Sequence, residues 1–285
     1  MVASHKSFSK AAAELHLTQP AVTLQIKHLE QELGELLIDR MGRFLALTPA
    51  GEVFLTYVSQ ILNLAAQATE TMQQFGKTRG RLTIGAGTTN TIFRLPQILQ
   101  QYRASFPQIE IRIRSGDSDL ITRLVEENAV DLGFITTVYP NPNLNIIPLF
   151  EDKIWLLGPE NFPAQVRMDQ LEQESFILFR AGSGFRYFLE EQFRAYQIIP
   201  KVTMELESIE AIIRLVESGL GLAFLPEIAV REELAHGAIR KIKIEGWKTM
   251  RRQTFLIYRR DKYLTWPIEE FLQRLPGQKK EIITK

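Results

Sequence analysis

The sequence predicts a multidomain protein with a mainly α amino-terminal unit, a long helix, and a larger α/β domain of two similar lobes. Three observations support this fold class. Residues 7–33 have the pattern of two helices joined by a tight turn, residues 49–75 repeat apolar side chains at spacings of three and four, and residues 81–225 alternate apolar strands with helices. A chain of 285 residues has room for two or three such domains.

The second helix of the amino-terminal pair has clear start signals. Thr18 can accept a hydrogen bond from a first-turn amide, and Pro20 falls in the first turn, where a missing donor costs little. The helix is therefore expected to begin at Thr18. A first helix from Phe8 to Leu15, capped by Ser7, precedes it. Apolar residues at spacings of four, three and four predict one inward stripe, formed by Val22, Ile26, Leu29 and Leu33.

Another face of the second helix carries groups suited to base edges and phosphates. Gln19, Thr23 and Lys27 recur every four residues, and Gln25 lies nearby. The two helices together are a candidate helix-turn-helix whose second member fits a major groove. Spacing alone equally allows an ordinary helical hairpin with a polar outer face.

The stretch from Ser7 to Gly51 resembles the DNA-binding region of LysR-type transcriptional regulators. The matching positions are the Ala11-Ala12 pair, Thr18-Gln19-Pro20-Ala21-Val22, the run from Leu29-Glu30 to Gly34, Asp39-Arg40, and Thr48-Pro49-Ala50-Gly51. The resemblance implies that double-stranded DNA is a partner. From the second helix, the expected DNA contacts are Thr18, Gln19, Pro20, Thr23, Gln25 and Lys27.

Two departures from the family pattern bear on DNA binding. Leu24 stands where the family usually has Arg, so one expected contact is missing. The family's helix pair also follows a further helix, of which residues 1–3 can form no more than the last turn. Its loss is expected to uncover apolar surface and to cost on the order of 2 to 4 kcal/mol, at Leu15, Leu17, Val22 and Ile26. Either the true start lies upstream, or this form binds DNA poorly.

A short hairpin is expected after the second helix. Leu37-Ile38 and Leu45-Ala46-Leu47 flank a turn that contains Arg40 and Arg43. In the family such a hairpin is a wing against the DNA backbone or minor groove, so both arginines are expected to contact phosphates or the minor groove. Alternatively, Arg43 is solvated in a surface turn and Arg40 stabilises the fold through an ion pair.

The long helix is expected to run from Pro49, after a Thr48 cap, to about Phe75. Its apolar residues form a coiled-coil seam of Phe54, Val58, Ile61, Ala65, Ala68, Met72 and Phe75. This seam predicts a homodimer, which would present two reading helices to a pseudo-palindromic site. The alternative is one helix lying on its own domain, although such a helix would usually have a wider apolar stripe.

The remaining chain predicts two similar α/β lobes after a hinge at residues 77–80. The strand 146–157 is long enough to cross between them, and the helices are expected at 92–105, 120–127, 185–196 and 209–217. With the segment GLGLAFLP at 219–226, this pattern resembles the LysR effector domain, which is built like a periplasmic binding protein. The resemblance implies a small-molecule effector and a homotetramer through the effector domains.

The expected domain boundaries follow from these patterns. The winged helix-turn-helix occupies residues 1–49, and the linker and dimerisation helix occupies residues 50–76. The effector-binding domain occupies residues 81–285, with lobe I at about 81–150 plus the carboxyl-terminal segment and lobe II at about 158–250.

Open parallel sheets bind ligands beyond the carboxyl ends of their strands, near helix N-termini that favour anions. The residues expected at these ends are Thr88, Thr89, Asn90, Thr136, Thr137, Arg180 and Ser183. An inward-pointing Arg180 would favour an anionic effector. The alternative for Thr88 and Ser183 is that each merely caps its helix.

The sequence contains no signature of an enzyme. Cysteine is absent, the four histidines lack metal-ligand spacing, and neither a phosphate loop nor a dinucleotide fingerprint is complete. We therefore expect no metal, no cofactor and no catalysis, and a cytoplasmic protein without a membrane partner. A solute-binding protein on the two-lobed fold is the alternative. The pair Arg251-Arg252 is interpreted as solvated surface.

Overall fold

The computed structural model describes residues 1–39, 45–74 and 80–276, so most of the predicted hinge lies outside the described residues. The chain divides into two compact units, residues 1–70 and 71–285, and each is described by itself. The first unit contains α1 (Val2–His5), α2 (Phe8–Glu14), α3 (Gln19–Leu33), β1 (Ile38–Asp39), β2 (Ala46–Leu47) and most of α4 (Pro49–Gln74).

Capping side chains fix where the helices of the first unit begin. Ser7 Oγ accepts a hydrogen bond from the Lys10 amide at 3.3 Å, and Thr18 Oγ1 accepts one from the Ala21 amide at 3.4 Å. These bonds satisfy first-turn donors that a helix leaves unpaired. Both predicted caps are confirmed, and Thr18 immediately precedes α3.

The inward stripe of α3 differs from the predicted one in its last turn. Val22 is buried, and Ile26 and Leu29 are partly buried, but Leu33 is 42% exposed, so the prediction for Leu33 is wrong. The helix ends there, against Gly34 at a φ of 72°, beyond the edge of the core. Glu30 occupies the buried position in this turn instead.

The first helix of the unit, α1, is short and covers only some of the apolar side chains of the helix pair. Val2 packs into the core beside Val22, which is only 4% exposed, so the expected exposure of Val22 is wrong. Leu15 and Leu17 are 43% and 52% exposed, as the short helix predicts. A hollow of about 290 Å³ between them and α4 has almost entirely apolar walls.

The second unit has ten strands and eight α-helices among its described residues. The strands are β3 (Gly80–Ala86), β4 (Ile109–Ser115), β5 (Leu132–Ile135), β6 (Leu144–Pro159), β7 (Gln165–Val166), β8 (Ser175–Phe179), β9 (Lys201–Leu206), β10 (Ala223–Pro226), β11 (Ile239–Ile244) and β12 (Met250–Arg259). The helices are α5 (Thr88–Phe93), α6 (Leu95–Ser105), α7 (Ser118–Glu126), α8 (Met168–Leu171), α9 (Gly184–Ala195), α10 (Ile209–Glu217), α11 (Arg231–Ala235) and α12 (Trp266–Leu272). A short 3₁₀ helix covers Glu227–Ala229.

An eight-stranded sheet extends through both lobes. Its order is β4-β3-β5-β12-β6-β11-β7, and β10 also pairs with β6. The strands β4, β3 and β5 are parallel and belong to lobe I, whereas β12 and β6 run antiparallel to each other over ten residue pairs. In lobe II, β8 and β9 form a separate parallel pair. Because β6 pairs with β12 on one side and with β10 and β11 further along, it joins the lobes as predicted.

One predicted helix of lobe I is divided in two. The expected helix 92–105 breaks at Arg94, which ends α5 and precedes α6. Pro96 stands in the first turn of α6, and a proline cannot donate the amide that a continuous helix would need. The prediction for residues 209–217 is confirmed to the residue by α10.

Each lobe buries helices against its strands. In lobe I, α6 and α12 pack on the sheet through Leu95, Tyr102, Phe134 and Phe271, all fully buried. In lobe II, α9 and α10 pack on opposite clusters around Phe176 and Ile177. These cores hold the carboxyl ends of β3, β5 and β8 in fixed positions.

Candidate functional site

Most side chains of the predicted reading face of α3 are exposed. Gln19, Gln25 and Lys27 are exposed, as are Thr18 and Pro20 at the start of the helix. The remaining member, Thr23, is partly buried, and its hydroxyl donates to the Gln19 carbonyl at 2.9 Å. The Thr23 hydroxyl has thereby used its one donor, and its oxygen can still accept a hydrogen bond.

The structure separates Gln25 from the other polar residues of the predicted face. Gln25 borders the apolar hollow lined by Leu15 and Leu17, whereas Lys27 lies beside the base of the hairpin near Asp39. Sequence spacing already indicates this separation, because residues two apart in an α-helix are about 200° apart around its axis, which places Gln25 nearly opposite Thr23 and Lys27.

Side-chain hydrogen bonds attach the hairpin to the helices on either side. The strands β1 and β2 pair antiparallel, with Ile38 opposite Leu47. Glu30 Oε1 accepts from the Leu37 amide at 2.9 Å and from the Ile38 amide at 3.2 Å. The predicted contacts Arg40 and Arg43 lie outside the described residues.

The start of α4 is fixed against the hairpin by close backbone contact. Thr48 Oγ1 donates to the Leu36 carbonyl at 2.5 Å and accepts from the Gly51 amide at 3.0 Å. A Cβ at position 51 would lie 2.1 Å from the Leu37 carbonyl oxygen, so only glycine fits. The orientation of α4 relative to α3 is therefore closely determined.

The predicted seam on α4 is mostly exposed in the single chain. Ile61 and Met72 are 65% and 64% exposed, and Ala65 and Ala68 are exposed as well. Phe54 and Val58 are partly buried, and Phe54 packs against the core of the first unit. Phe75 lies outside the described residues. Phe54, the first residue of the predicted seam, thus packs in the core of its own chain.

The second unit has a cleft of about 390 Å³ between its lobes, within the range of sites for small molecules. Lobe I lines it with the ends of β3, β4 and β5, and lobe II lines it with the end of β8 and the start of α9. Six predicted effector residues line this cleft, namely Thr88, Thr89, Asn90, Thr136, Arg180 and Ser183. Thr137 does not, and its Oγ1 instead lies next to Gly184 of the opposite lobe.

The capping alternative is right for one hydroxyl and wrong for the other. Ser183 Oγ accepts from the Arg186 amide at 3.2 Å and caps α9. Thr88 caps nothing, because α5 begins after Gly87 without a side-chain cap. Asn90 is 2% exposed and lines the cleft, and its Oδ1 is a buried acceptor without a partner among the described residues.

Arg180 does not supply the free positive charge that an inward orientation would give. Its Nε lies 3.0 Å from Glu207 Oε1, and both side chains are largely exposed. A carboxylate partner and water both reduce the attraction that Arg180 can exert on a second anion. The expectation of an anionic effector based on Arg180 is therefore not supported by this residue.

Arg252 supplies the positive charge that was expected of Arg180. Its Nη2 donates to Thr136 Oγ1 at 2.5 Å, and its guanidinium lies 4.7 Å from the centre of the Phe185 ring. Across residues 1–39, 45–74 and 80–276, no carboxylate oxygen lies within 4.0 Å of its nitrogens. Desolvation lowers the pKa of Arg252 to about 10, with Asp152 opposing the shift, so the side chain is a cation at neutral pH.

The solvated interpretation of Arg251-Arg252 is wrong for the second residue. Arg251 is exposed and bonds Glu151, whereas Arg252 points to the cleft. The two side chains lie on opposite faces because they are neighbours in β12. Strand alternation was the available signal, since Arg252 shares a face with the buried Thr254.

The polypeptide beside Arg252 is held by hydroxyl and carboxylate caps. Ser118 Oγ accepts from the amides of Thr136 and Thr137, each at 3.1 Å, and Asp117 Oδ1 accepts from the Leu120 amide at 2.8 Å. These bonds connect α7 to the end of β5, so that the Thr136 hydroxyl is presented to Arg252 from a fixed backbone.

The described parts of the chain contain neither a metal-binding cluster nor a membrane-spanning helix. No group of three or more His, Asp or Glu side chains there could hold a metal ion. No helix there is both long enough and apolar enough to cross a membrane.

Comparisons with known proteins agree with this architecture. Residues 1–52 match the family model described as bacterial regulatory helix-turn-helix protein, lysR family, and residues 75–279 match the LysR substrate binding domain. The transcriptional regulator YwqM of Bacillus subtilis is 31% identical over 95% of this chain and 93% of its own. The regulator CbbR of Rhodospirillum rubrum is 32% identical over 94% of this chain and 90% of its own.

Solved structures show the same fold. A full-length OxyR variant from Pseudomonas aeruginosa is 27% identical, with a TM-score of 0.66 over 90% of this chain and 85% of its own. The CcmR regulatory domain of Synechocystis, in complex with 2-PG, is 23% identical, with a TM-score of 0.64 over 72% of this chain and 99% of its own. The matched family and the relatives are transcriptional regulators, which confirms the prediction of a regulator that is not an enzyme. The chain belongs to the LysR family of transcriptional regulators, with a helix-turn-helix unit followed by a two-lobed effector-binding domain.

Proposed function

We propose that this regulator responds to a small anionic effector bound in the interlobe cleft, with Arg252 as the main recognition residue. The observation that carries the proposal is how the charged side chains of the cleft are paired, since of its two acidic residues Glu207 lies on Arg180 and Asp117 caps α7. Arg180 is paired with Glu207, whereas Arg252 bonds only a neutral hydroxyl and an aromatic ring. A partly buried cation that bonds no carboxylate attracts an anion, because burial weakens its hydration and no ion pair neutralises it.

The other polar groups of the cleft fit the same kind of ligand. Thr88 and Thr89 offer hydroxyl donors, and α7 and α9 begin at the cleft, so the positive ends of their helix dipoles lie there, although the Leu120 and Arg186 amides are already capped. The Asn90 side chain adds an acceptor in Oδ1, which suits a ligand that also carries a hydroxyl or amino group. A carboxylate or phosphate ester with one further donor meets these requirements.

A thermal-shift and calorimetry screen tests the proposal. The panel contains inorganic phosphate, small monocarboxylates and dicarboxylates, and phosphate monoesters, each beside a neutral alcohol or amide of similar size. We expect anions alone to raise the melting temperature, and Arg252→Gln to weaken their binding by at least about tenfold. Arg251→Gln is the matched control, because it removes the same charge from the opposite face of β12. Equal responses to anions in Arg252→Gln and in the unmodified chain would contradict the proposal.

For DNA, we propose that α3 enters the major groove and that two chains pair through the exposed seam of α4. The support is the accessible row of Gln19 and Lys27 and the exposure of Ile61 and Met72. A solved family member, full-length CbnR, is complexed with its target DNA. We further propose a homotetramer through the effector domains and a location in the cytoplasm, where a DNA-binding regulator meets its operator.

A second candidate is a regulator that binds its effector and dimerises but binds DNA poorly. The exposure of Leu15 and Leu17 beside the apolar hollow favours it, because α3 packs there with an incomplete cover. An electrophoretic shift assay of this chain, beside one extended at its amino end by a helix of the family pattern, separates the two. Equal operator affinity for both chains would exclude the second candidate.

A further inference from the structure

Three charged side chains lie together where the two long strands pass between the lobes. Asp152 of β6 and Arg252 of β12 are directly opposite each other in the antiparallel register, and Arg94 comes from the junction of α5 and α6. This point lies between a β-bulge at Thr254 and Phe255 and the residues of β6 that pair with lobe II.

Asp152 is bonded to only one of the two arginines. Arg94 Nη2 donates to Asp152 Oδ1, and the two side chains are 15% and 8% exposed. The Arg94 guanidinium also lies 4.2 Å from the centre of the Phe150 ring, while its buried Nε is without a partner among the described residues. Arg94 is thus held on Asp152 by an ion pair and by stacking.

Arg252 is within reach of the same carboxylate but does not bond it. Directly opposed residues of an antiparallel pair project from the same face of the sheet, with Cβ atoms about 4.5 to 5.5 Å apart. A guanidinium on a three-carbon stem easily spans that distance. The Arg252 side chain instead extends to Thr136 Oγ1 and the Phe185 ring, into the cleft.

We propose that the ion pair with Arg94 prevents Asp152 from pairing with Arg252. Arg94 is then a positioning residue for the effector site, and Asp152 is a latent competitor of the effector. This rests on the proposed function of Arg252. Two guanidinium groups lie within reach of one buried carboxylate, and the excess positive charge is directed to the cleft. A bound anion neutralises the charge of Arg252. If Asp152 were not bonded to Arg94, its carboxylate would neutralise Arg252 instead, and the cleft would no longer attract an anion.

The first test is a crystal structure of the full-length Arg94→Gln variant. We expect an ion pair between Asp152 and Arg252, with Arg252 withdrawn from Thr136. An Arg252 still on Thr136, with Asp152 bonded elsewhere, would overturn the proposal. A variant that fails to fold would count against it as well, since Arg252 is proposed to replace Arg94 as the partner of Asp152.

The second test measures the binding of inorganic phosphate by calorimetry. We expect Arg94→Gln to weaken binding by at least about tenfold, and the double variant Arg94→Gln/Asp152→Asn to regain most of the loss, because the competing carboxylate is gone. Asp152→Asn alone should bind phosphate several-fold more tightly than the unmodified chain. Arg251→Gln is again the charge-matched control.

The outcomes separate this proposal from the one on which it rests. Phosphate binding that is unchanged by Arg252→Gln contradicts the proposed anion site itself. Binding that is lost in Arg252→Gln but unchanged in Arg94→Gln leaves the anion site in place and overturns the role of Arg94. A purely structural role for Asp152 predicts weaker binding in Asp152→Asn, the opposite of the expected result.

Discussion

The carboxylate of Glu30 accepts hydrogen bonds from two consecutive backbone amides, Leu37 at 2.9 Å and Ile38 at 3.2 Å. It thereby joins the reading helix α3 to the first strand of the hairpin. Glu30 is 7% exposed, so the bonds are sheltered from water. This acidic side chain holds the hairpin on α3 together with the burial of Leu37 and Ile38 in the core that they share with Val22.

The first prediction concerns this connection. Glu30→Ala leaves two buried amides without an acceptor and should destabilise the first unit by about 2–3 kcal/mol. Glu32→Ala, at an exposed position of the same helix, should change stability by less than about 0.5 kcal/mol. Urea unfolding followed by circular dichroism measures both. Equal midpoints would show that the Glu30 bonds do not contribute to stability.

The second prediction concerns DNA recognition by α3. Lys27→Ala should weaken binding to operator and random DNA alike and lower the slope of log K against log salt by about 0.9, the value for one phosphate contact. Gln19→Ala should instead reduce the preference for the operator over random DNA. Fluorescence anisotropy at several salt concentrations measures both effects. Unchanged titrations for both variants would remove α3 from the interface.

The third prediction concerns the seam of α4. Ile61 and Leu62 are adjacent and almost equally exposed, at 65% and 64%, but only Ile61 belongs to the predicted seam. Ile61→Asp should therefore dissociate the dimer, whereas Leu62→Asp should leave it intact. Sedimentation velocity distinguishes the two states. Dissociation by Leu62→Asp alone would place the interface on another face of the helix.

The fourth prediction concerns stability at alkaline pH. Tyr102 is fully buried, and its hydroxyl donates to the Pro267 carbonyl at 2.7 Å. Desolvation raises the pKa of Tyr102 above its usual value of 10, against a smaller opposing effect of Arg274. The folded state then keeps a proton that the unfolded chain releases, so this contribution is complete below pH 10 and declines as the pH rises above it.

Tyr102→Phe tests this contribution. At neutral pH the variant should lose about 1 kcal/mol with the hydrogen bond. Above pH 10 its melting temperature should fall less steeply than that of the unmodified chain. Tyr263→Phe, at a side chain that is 73% exposed, is the control and should leave the slope unchanged. Parallel alkaline slopes for all three proteins would contradict the assigned role of Tyr102.

Local pattern in the sequence was enough to predict most of the elements. The helix at residues 209–217 is predicted to the residue because its apolar stripe is a local signal, and the structure adds a Ser208 cap that the prediction did not use. The cap at Thr18 was predicted for the same reason. The break at Arg94 does have a local signal in Pro96, which the prediction of one helix overlooked, whereas the ion pair with Asp152 joins residues far apart in sequence and has no local signal.

The charged residues of the cleft could be predicted only in part. Arg180 was placed correctly at the end of a strand, but its partner Glu207 follows a different strand, β9, and the sequence does not show that the two meet. Arg252 was missed because two adjacent arginines usually indicate solvent, although a strand sends them to opposite sides. Whether a charged side chain forms an ion pair depends on residues that are close in space but distant in sequence, and sequence spacing does not predict these neighbours.

The pairing of β6 with β12 has a mechanical consequence for the regulator. All ten residues of β12 face a partner on β6, from Arg259 opposite Leu144 to Met250 opposite Ile154. Sliding such a ribbon by one residue would break its whole ladder, whereas a change in its twist keeps every bond. We therefore expect an anion at Arg252, which lies within this ladder, to change the relative orientation of the lobes through the twist of β6 and β12 and not through a shift in register.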